Sequence, residues 1–313
     1  MNADYLPLGC YGKLPCYGDF LQGRLFQPSS QAVKSWLHEG RAAVELGDDG
    51  EGTGVKPRET ARRRFLYGPP GSAELMAGVI RPSSDQGERR QFPFMVFTHF
   101  PRRLYGKHYS LLPLALATVW DALDDAWDSL ANVATKAAFE EVVRATLIPH
   151  PEPVAGLRST YEAMQQESVG GMFDRDAESF GAFLRNMPEV IAQMKHGKGG
   201  EGIRLELPVS VERAAACFDA AFWIDLMNRQ FFLRRFEPGL FLPDAPGQKY
   251  NRILMVFGIL SPTDYALIMG CEGIPARAVQ PAGPVRTDEQ PFVASDNALT
   301  YKELLAKRLH AGG

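Results

Sequence analysis

The sequence predicts an α/β or α+β fold in which a sheet is covered by helices. Two observations predict it. Strand-like apolar runs and stretches of helical period are interleaved along the chain instead of being segregated into separate halves. The 313 residues also include 45% hydrophobic side chains, enough for the core of one large domain or two modest ones.

The elements follow in chain order. Leu6–Tyr11 reads as one short strand running into a loop punctuated by Gly12, Pro15 and Gly18. In this loop Gly12 and Gly18 are expected to supply positive φ, Pro15 to fix the chain, and Asp19 to bond nearby amides. A helix is expected from Pro28-Ser29-Ser30, where a serine can cap free N–H groups. Val33, Trp36, Leu37 and Val44 keep its period and Gly47 stops it. Residues 47–58, rich in glycine and mixed charge, read as an exposed, mobile loop.

Phe65–Tyr67, Leu75–Ile80 and Phe92–Thr98 read as three strands, the last two separated by a polar turn over 81–90. Leu112, Leu116, Val119, Leu123 and Trp127 mark one helix over about 109–128, and another is expected over about 131–147. Pro149, Pro151 and Pro153 suggest a boundary between two halves. The region 150–202 reads as a helical insertion. Beyond it come a strand at Ile203–Leu207 and a helical stripe through Val211, Ala215, Phe218, Phe222 and Leu226. Strands at Gly239–Leu242 and Arg252–Ile259 and a short helix at Pro262–Met269 follow. Residues 271–313 read as an irregular, proline-rich tail ending in a basic amphipathic helix. The expected organisation is a single domain over 1–313, with 5–128 as its N-terminal half and 203–270 as the C-terminal part of the core.

Composition narrows the function. The 34 basic and 37 acidic residues give a net charge of −3, so no general attraction to nucleic acid or anionic membrane is expected. The longest apolar runs are far short of the roughly 20 residues that a membrane helix needs. The N-terminus lacks the basic and apolar regions of a signal peptide. Four cysteines, at 10, 16, 217 and 271, form no CxxC pair and read as reduced thiols of a cytoplasmic protein.

No assembled active site is legible. The glycine loop with Lys13 suggests a phosphate cradle, yet Pro7 stands where a P-loop needs its first glycine and Leu14 where it needs Ser or Thr. Cys10 and Cys16 are candidate thiol nucleophiles, but no histidine lies near them in sequence, and buried structural thiols are the simpler reading. The six scattered histidines have no zinc spacing, and no GxSxG element is present. Asp124-Asp125 and Glu140-Glu141 read as solvated helix faces. The clusters Arg62-Arg63-Arg64, Arg89-Arg90, Arg102-Arg103 and Arg234-Arg235 read mainly as surface charge. If the fold sets the 81–90 turn beside the 12–24 loop, the two would form a binding face of mixed charge.

The run Gly12-Lys13-Leu14-Pro15-x-x-Gly18-Asp19-Phe20-Leu21-x-x-Arg24-Leu25 closely resembles the N-terminal signature of the TagF (ImpM) family, which accompanies bacterial type VI secretion systems. Trp36-Leu37 follows in order. The block Ala77-Gly78-Val79-Ile80-x-Pro82-Ser83-x-Asp85, leading to Gly87-x-x-Arg90-x-Phe92-Pro93-Phe94, looks like the family's second motif. Phe222–Leu226 is similar to a third.

The resemblance implies a cytoplasmic, non-enzymatic, post-translational repressor without cofactor or metal. It would bind the forkhead-associated scaffold protein of the system and restrain assembly of the apparatus. It also implies an α/β three-layer sandwich, a central sheet covered by helices on both faces. The residues it puts forward for partner binding are Lys13, Asp19, Phe20, Arg24, Asp85 and Arg90, with Gly12, Leu14, Pro15, Gly18, Trp36, Pro82 and Pro93 as the structural signature. The alternatives are a structural or adaptor component of the secretion machine, or a thiol- or phosphate-using hydrolase built on Cys10, Cys16 and Lys13.

Overall fold

An eight-stranded, wholly antiparallel sheet organises the computed structural model, which describes residues 5–46, 61–87, 90–165, 204–231, 237–243 and 251–271. The loop at 47–58, most of the 150–202 region, the tail beyond 271, Arg89 and Arg234-Arg235 lie outside the described residues.

The N-terminal part supplies β1 (Tyr5–Pro7), β2 (Gly9–Gly12), β3 (Leu21–Gly23), α1 (Pro28–Leu46), β4 (Arg63–Tyr67), β5 (Glu74–Arg81) and β6 (Phe94–Pro101). Two 3₁₀ turns over Arg102–Leu104 and Gly106–Leu111 lead into α2 (Leu112–Ala115), α3 (Ala117–Ala131), α4 (Lys136–Ala145), β7 (Leu147–Pro149) and α5 (Val154–Met164). The C-terminal part adds β8 (Arg204–Val209), α6 (Arg213–Phe231), β9 (Gly239–Pro243), β10 (Asn251–Val256) and α7 (Pro262–Met269). The order across the large sheet is β3-β2-β6-β5-β4-β9-β10-β8. Strand β9 pairs with β4, Phe65 opposite Phe241, so both halves of the chain build one sheet across the proline-rich segment.

Period-two alternation sends side chains to opposite faces. On one face Leu66, Leu75, Ala77, Val79 and Val96 pack with Val119, Trp120 and Leu123 of α3 and Phe222 and Trp223 of α6. On the other, Phe65, Tyr67, Met76, Ile80, Met95 and Phe97 pack with Trp36 and Leu37 of α1 and Tyr265 of α7. Helices therefore bury both faces, an arrangement compatible with the expected sandwich. All four tryptophans donate their indole N–H to a main-chain carbonyl, as buried indoles must: Trp36 to Ser261, Trp120 to Phe65, Trp127 to Phe94 and Trp223 to Pro208.

Several local expectations need correction. Leu6–Tyr11 is two strands, not one: β1 leaves the large sheet and pairs with β7, while β2 stays in it. The helix expected over 109–128 begins as 3₁₀ turns and is interrupted at Leu116. Val211 precedes α6 and is exposed. At the start of α1 neither serine caps an amide. Pro28 takes the first position, which tolerates its missing N–H, and the Ser30 hydroxyl donates to the Gln27 carbonyl at 2.9 Å. Helix α7 has a full capping box, Ser261 with Asp264, and a left-handed Gly270 after its last turn. Gly40 lets α7 lie directly on α1, since a Cβ there would meet the Tyr265 Cβ at 2.2 Å.

Candidate functional site

The loop after β2 and the turn after β5 come together at one end of the sheet. Gly12 starts the loop with φ +138°, and a Cβ there would meet the Pro93 carbonyl oxygen at 2.1 Å. Only glycine permits that approach, so Gly12 and Pro93 form one feature of the fold. Lys13 then turns inward. It is buried, and its Nζ lies 3.2 Å from Asp85 Oδ2. Asp85 Oδ1 accepts from the Arg90 amide at 2.9 Å, and the Asp85 amide donates back to the Arg90 carbonyl at 3.1 Å. A further main-chain bond joins Gln86 to the Tyr17 carbonyl.

Phe20 covers this pair. Its ring centroid lies 5.0 Å from Lys13 Nζ, a cation–π contact. The ring stacks on Tyr11 at 5.5 Å and meets Phe92 edge-on at 4.9 Å and His38 at 5.1 Å. Tyr11 and His38 are hydrogen-bonded to each other, and Lys34 Nζ sits 4.9 Å from the Tyr11 ring centroid. Burial, then the Asp19 charge, pushes the Tyr11 hydroxyl up to about 12. Burial, then Lys34, lowers the His38 imidazole. The patch thus keeps a neutral tyrosine and favours a neutral histidine.

The 81–90 turn and the 12–24 loop do form one face, yet its members divide in two. Lys13 and Asp85 neutralise each other inside, Phe20 is half-buried in the aromatic cluster, and Leu14 and Pro93 are core. Asp19, Arg24 and Arg90 are exposed, as are Pro15 and Gly18, and Pro82 is half-buried. Asp19 Oδ1 accepts from the Phe20 amide at 2.7 Å, the local bond expected of it. Gly18 does not have the expected positive φ, and a Cβ there would meet nothing within 4 Å. The left-handed position in this segment belongs to Arg24, at φ +53°. Phe26, which is not one of the motif residues, is 86% exposed, although Leu25 beside it is buried. The adjacent apolar pair gave no sign of which residue faces outward.

A second charged cluster lies on the α3 face of the sheet. Arg64 and Arg81, on neighbouring strands, share buried Asp124: Arg64 reaches Oδ2 at 2.6 Å and Arg81 reaches Oδ1 at 2.5 Å. Arg64 also pairs with Asp121 and Arg81 with Asp128, and the Arg81 guanidinium stacks on Trp127. Asp124 is therefore no solvated helix charge and Arg64 no surface charge. Each lends the other the counter-charge that burial requires. A cleft of about 440 Å³ opens beside them, lined by Arg64, Asp121, Asp124, Glu212, Arg213 and Cys217.

The four cysteines are free. Burial pushes the Cys10 and Cys217 thiols up to about 12 and raises Cys16 and Cys271 as well, which disfavours the reactive thiolate. Among the described residues no three His, Cys, Asp or Glu side chains are grouped to hold a metal ion, and no helix is long and apolar enough to cross a membrane.

Residues 9–146 match the TagF N-terminal domain, described as type VI secretion system-associated. The match contains both N-terminal motifs and ends before the third, at Phe222–Leu226. The chain is also similar to the crystal structure of PA0076 from Pseudomonas aeruginosa PAO1, at 25% identity over 46% of this chain and 65% of that one, with a TM-score of 0.37. The chain thus spans just under two thirds of that relative's length. No functionally curated protein matches it.

Proposed function

We propose, from the match of residues 9–146 to the type VI secretion-associated TagF N-terminal domain, that this chain is a TagF-like, post-translational repressor of type VI secretion. In this reading it acts in the cytoplasm without catalysis. It binds the forkhead-associated scaffold protein of the system and restrains assembly of the apparatus. Repression by binding requires differential affinity: the protein must hold the idle scaffold more tightly than the assembled one.

The observation that carries the reading is the joined loop and turn. The motif residues inside the matched domain build a rigid face with Asp19, Arg24 and Arg90 on its surface. Arginine and aromatic groups on a fixed backbone suit protein recognition. The raised thiols favour this over the hydrolase alternative, because a catalytic thiol needs a lowered pKa or a base at hand.

The test is secretion itself. Deleting the gene should raise release of a type VI substrate into the medium, and overproducing the protein should suppress release without lowering the level of the machine's components. Reduced release in the deletion strain would instead indicate a structural or adaptor component.

A further inference from the structure

We infer that the corner between β3 and α1 is where the partner docks, with Phe26 as its apolar anchor and Arg24 as the charge beside it. The inference rests on the repressor reading above and adds the surface and its chemistry. The occupant is an apolar pocket on the scaffold protein, rimmed by carboxylates.

A lone exposed apolar side chain means little by itself. Phe26 differs in how it is held. It is the most exposed large hydrophobic side chain among the described residues, at 86% against 65% for the next. Its backbone is nonetheless pinned on both sides. Leu25 is buried, and its carbonyl accepts from the Gln31 side-chain amide. The Gln27 carbonyl accepts from Ser30 Oγ at 2.9 Å and from the Gln31 amide at 3.1 Å. A ring presented on a fixed backbone loses little further freedom when a pocket closes on it.

Arg24 adds a second observation. At φ +53° it is the single non-glycine residue in the left-handed region among the described residues. Such a conformation persists only where the surroundings enforce it, and strain of this kind collects at binding sites. Arg24 is exposed, two positions from Phe26.

The surroundings fit a docking site. Among the described residues β3 is the edge strand of the large sheet. From Leu21 to Val33 the one charged side chain is Arg24, and the exposed carboxylates of Asp19 and Glu39 stand outside that segment. That charge calls for an acidic rim on the partner, and an aromatic flanked by arginine is the usual make-up of an interface hot spot.

The experiment titrates purified scaffold protein with the 313-residue chain as wild type, Phe26→Ala, Phe26→Tyr and Arg24→Asn. Asparagine keeps the left-handed backbone accessible while removing the charge. Phe26→Ala should weaken binding at least about tenfold, while Phe26→Tyr stays within about threefold of wild type. Arg24→Asn should weaken binding and flatten its salt dependence. Thermal melting should be unchanged at position 26, where the ring packs against little.

Wild-type affinity retained by Phe26→Ala overturns the inference and leaves the repressor reading standing. No saturable binding by the wild type overturns both. Sedimentation of the same samples supplies the remaining outcome: a dimer dissolved by Phe26→Ala assigns the corner to a second copy of the chain, which also overturns the inference.

Discussion

Lys13 and Asp85 stand 72 positions apart in the chain and meet as a buried ion pair, Nζ to Oδ2 at 3.2 Å. The pair locks the glycine loop to the polar turn, and so fixes the face on which Asp19, Arg24 and Arg90 are displayed. A buried charge left without its partner is costly, whereas removing both partners is not. Lys13→Met and Asp85→Asn should therefore each destabilise the protein by about 3 kcal/mol, and the double variant by clearly less than their sum. Urea unfolding of the four proteins checks this. Strict additivity would show that the two side chains do not interact.

The two loop glycines should behave differently. Gly12→Ala drives a methyl group into the Pro93 carbonyl at a backbone angle that alanine avoids, and should cost at least about 2 kcal/mol. Gly18→Ala meets nothing within 4 Å and should change stability by no more than about 0.5 kcal/mol. Equal losses at both positions would contradict the geometry.

The neighbouring aspartates of α3 give a second contrast. Asp124→Ala removes the buried carboxylate that two buried guanidinium groups share, leaving Arg64 with the exposed Asp121 and Arg81 with the exposed Asp128, and should cost about 3 kcal/mol, read from chemical denaturation. Asp125, exposed on the same helix, should tolerate alanine within about 0.5 kcal/mol.

Acid should weaken the fold partly through His99. Its buried Nε2 has no hydrogen-bond partner among the described residues, and burial lowers the imidazole from 6.5 to about 4. Between those values the unfolded chain takes up a proton that the folded chain refuses, so stability falls as pH drops. It is unaffected by this group above about 6.5, and the loss is complete below about 4. The difference corresponds to about 3 kcal/mol. Denaturation midpoints from pH 7 to pH 4 should fall less steeply in His99→Gln than in wild type.

Much of the fold is legible in sequence, for a physical reason. Val33, Trp36, Leu37 and Val44 recur at helical spacing because one face of α1 is buried, and all four are buried. Ser261-Pro262 and Asp264 carry the start of α7 in three local residues. What stays hidden is long-range pairing. Asp124 looks like Asp125 until Arg64 and Arg81 arrive from strands 60 and 43 positions away. Leu6–Tyr11 reads as one strand because nothing local reveals that β1 will leave the sheet to join β7, more than 140 residues later.

The candidate site shows the same division. The sequence allows the 12–24 loop and the 81–90 turn to meet, but does not say which members turn inward. Lys13 looks available to a partner until Asp85 is seen beside it and Phe20 above it. The reverse holds for Phe26, an apolar residue that sequence alone assigns to the core as readily as Leu25.

Repression through binding of the forkhead-associated scaffold is tested by a calorimetric titration of the two purified proteins. It should be run with phosphorylated and unphosphorylated scaffold, at low and high salt. Saturable binding with a micromolar or tighter dissociation constant, weakened by salt as exposed arginines require, is the expected result. Absence of binding in both phosphorylation states would rule out repression through this scaffold.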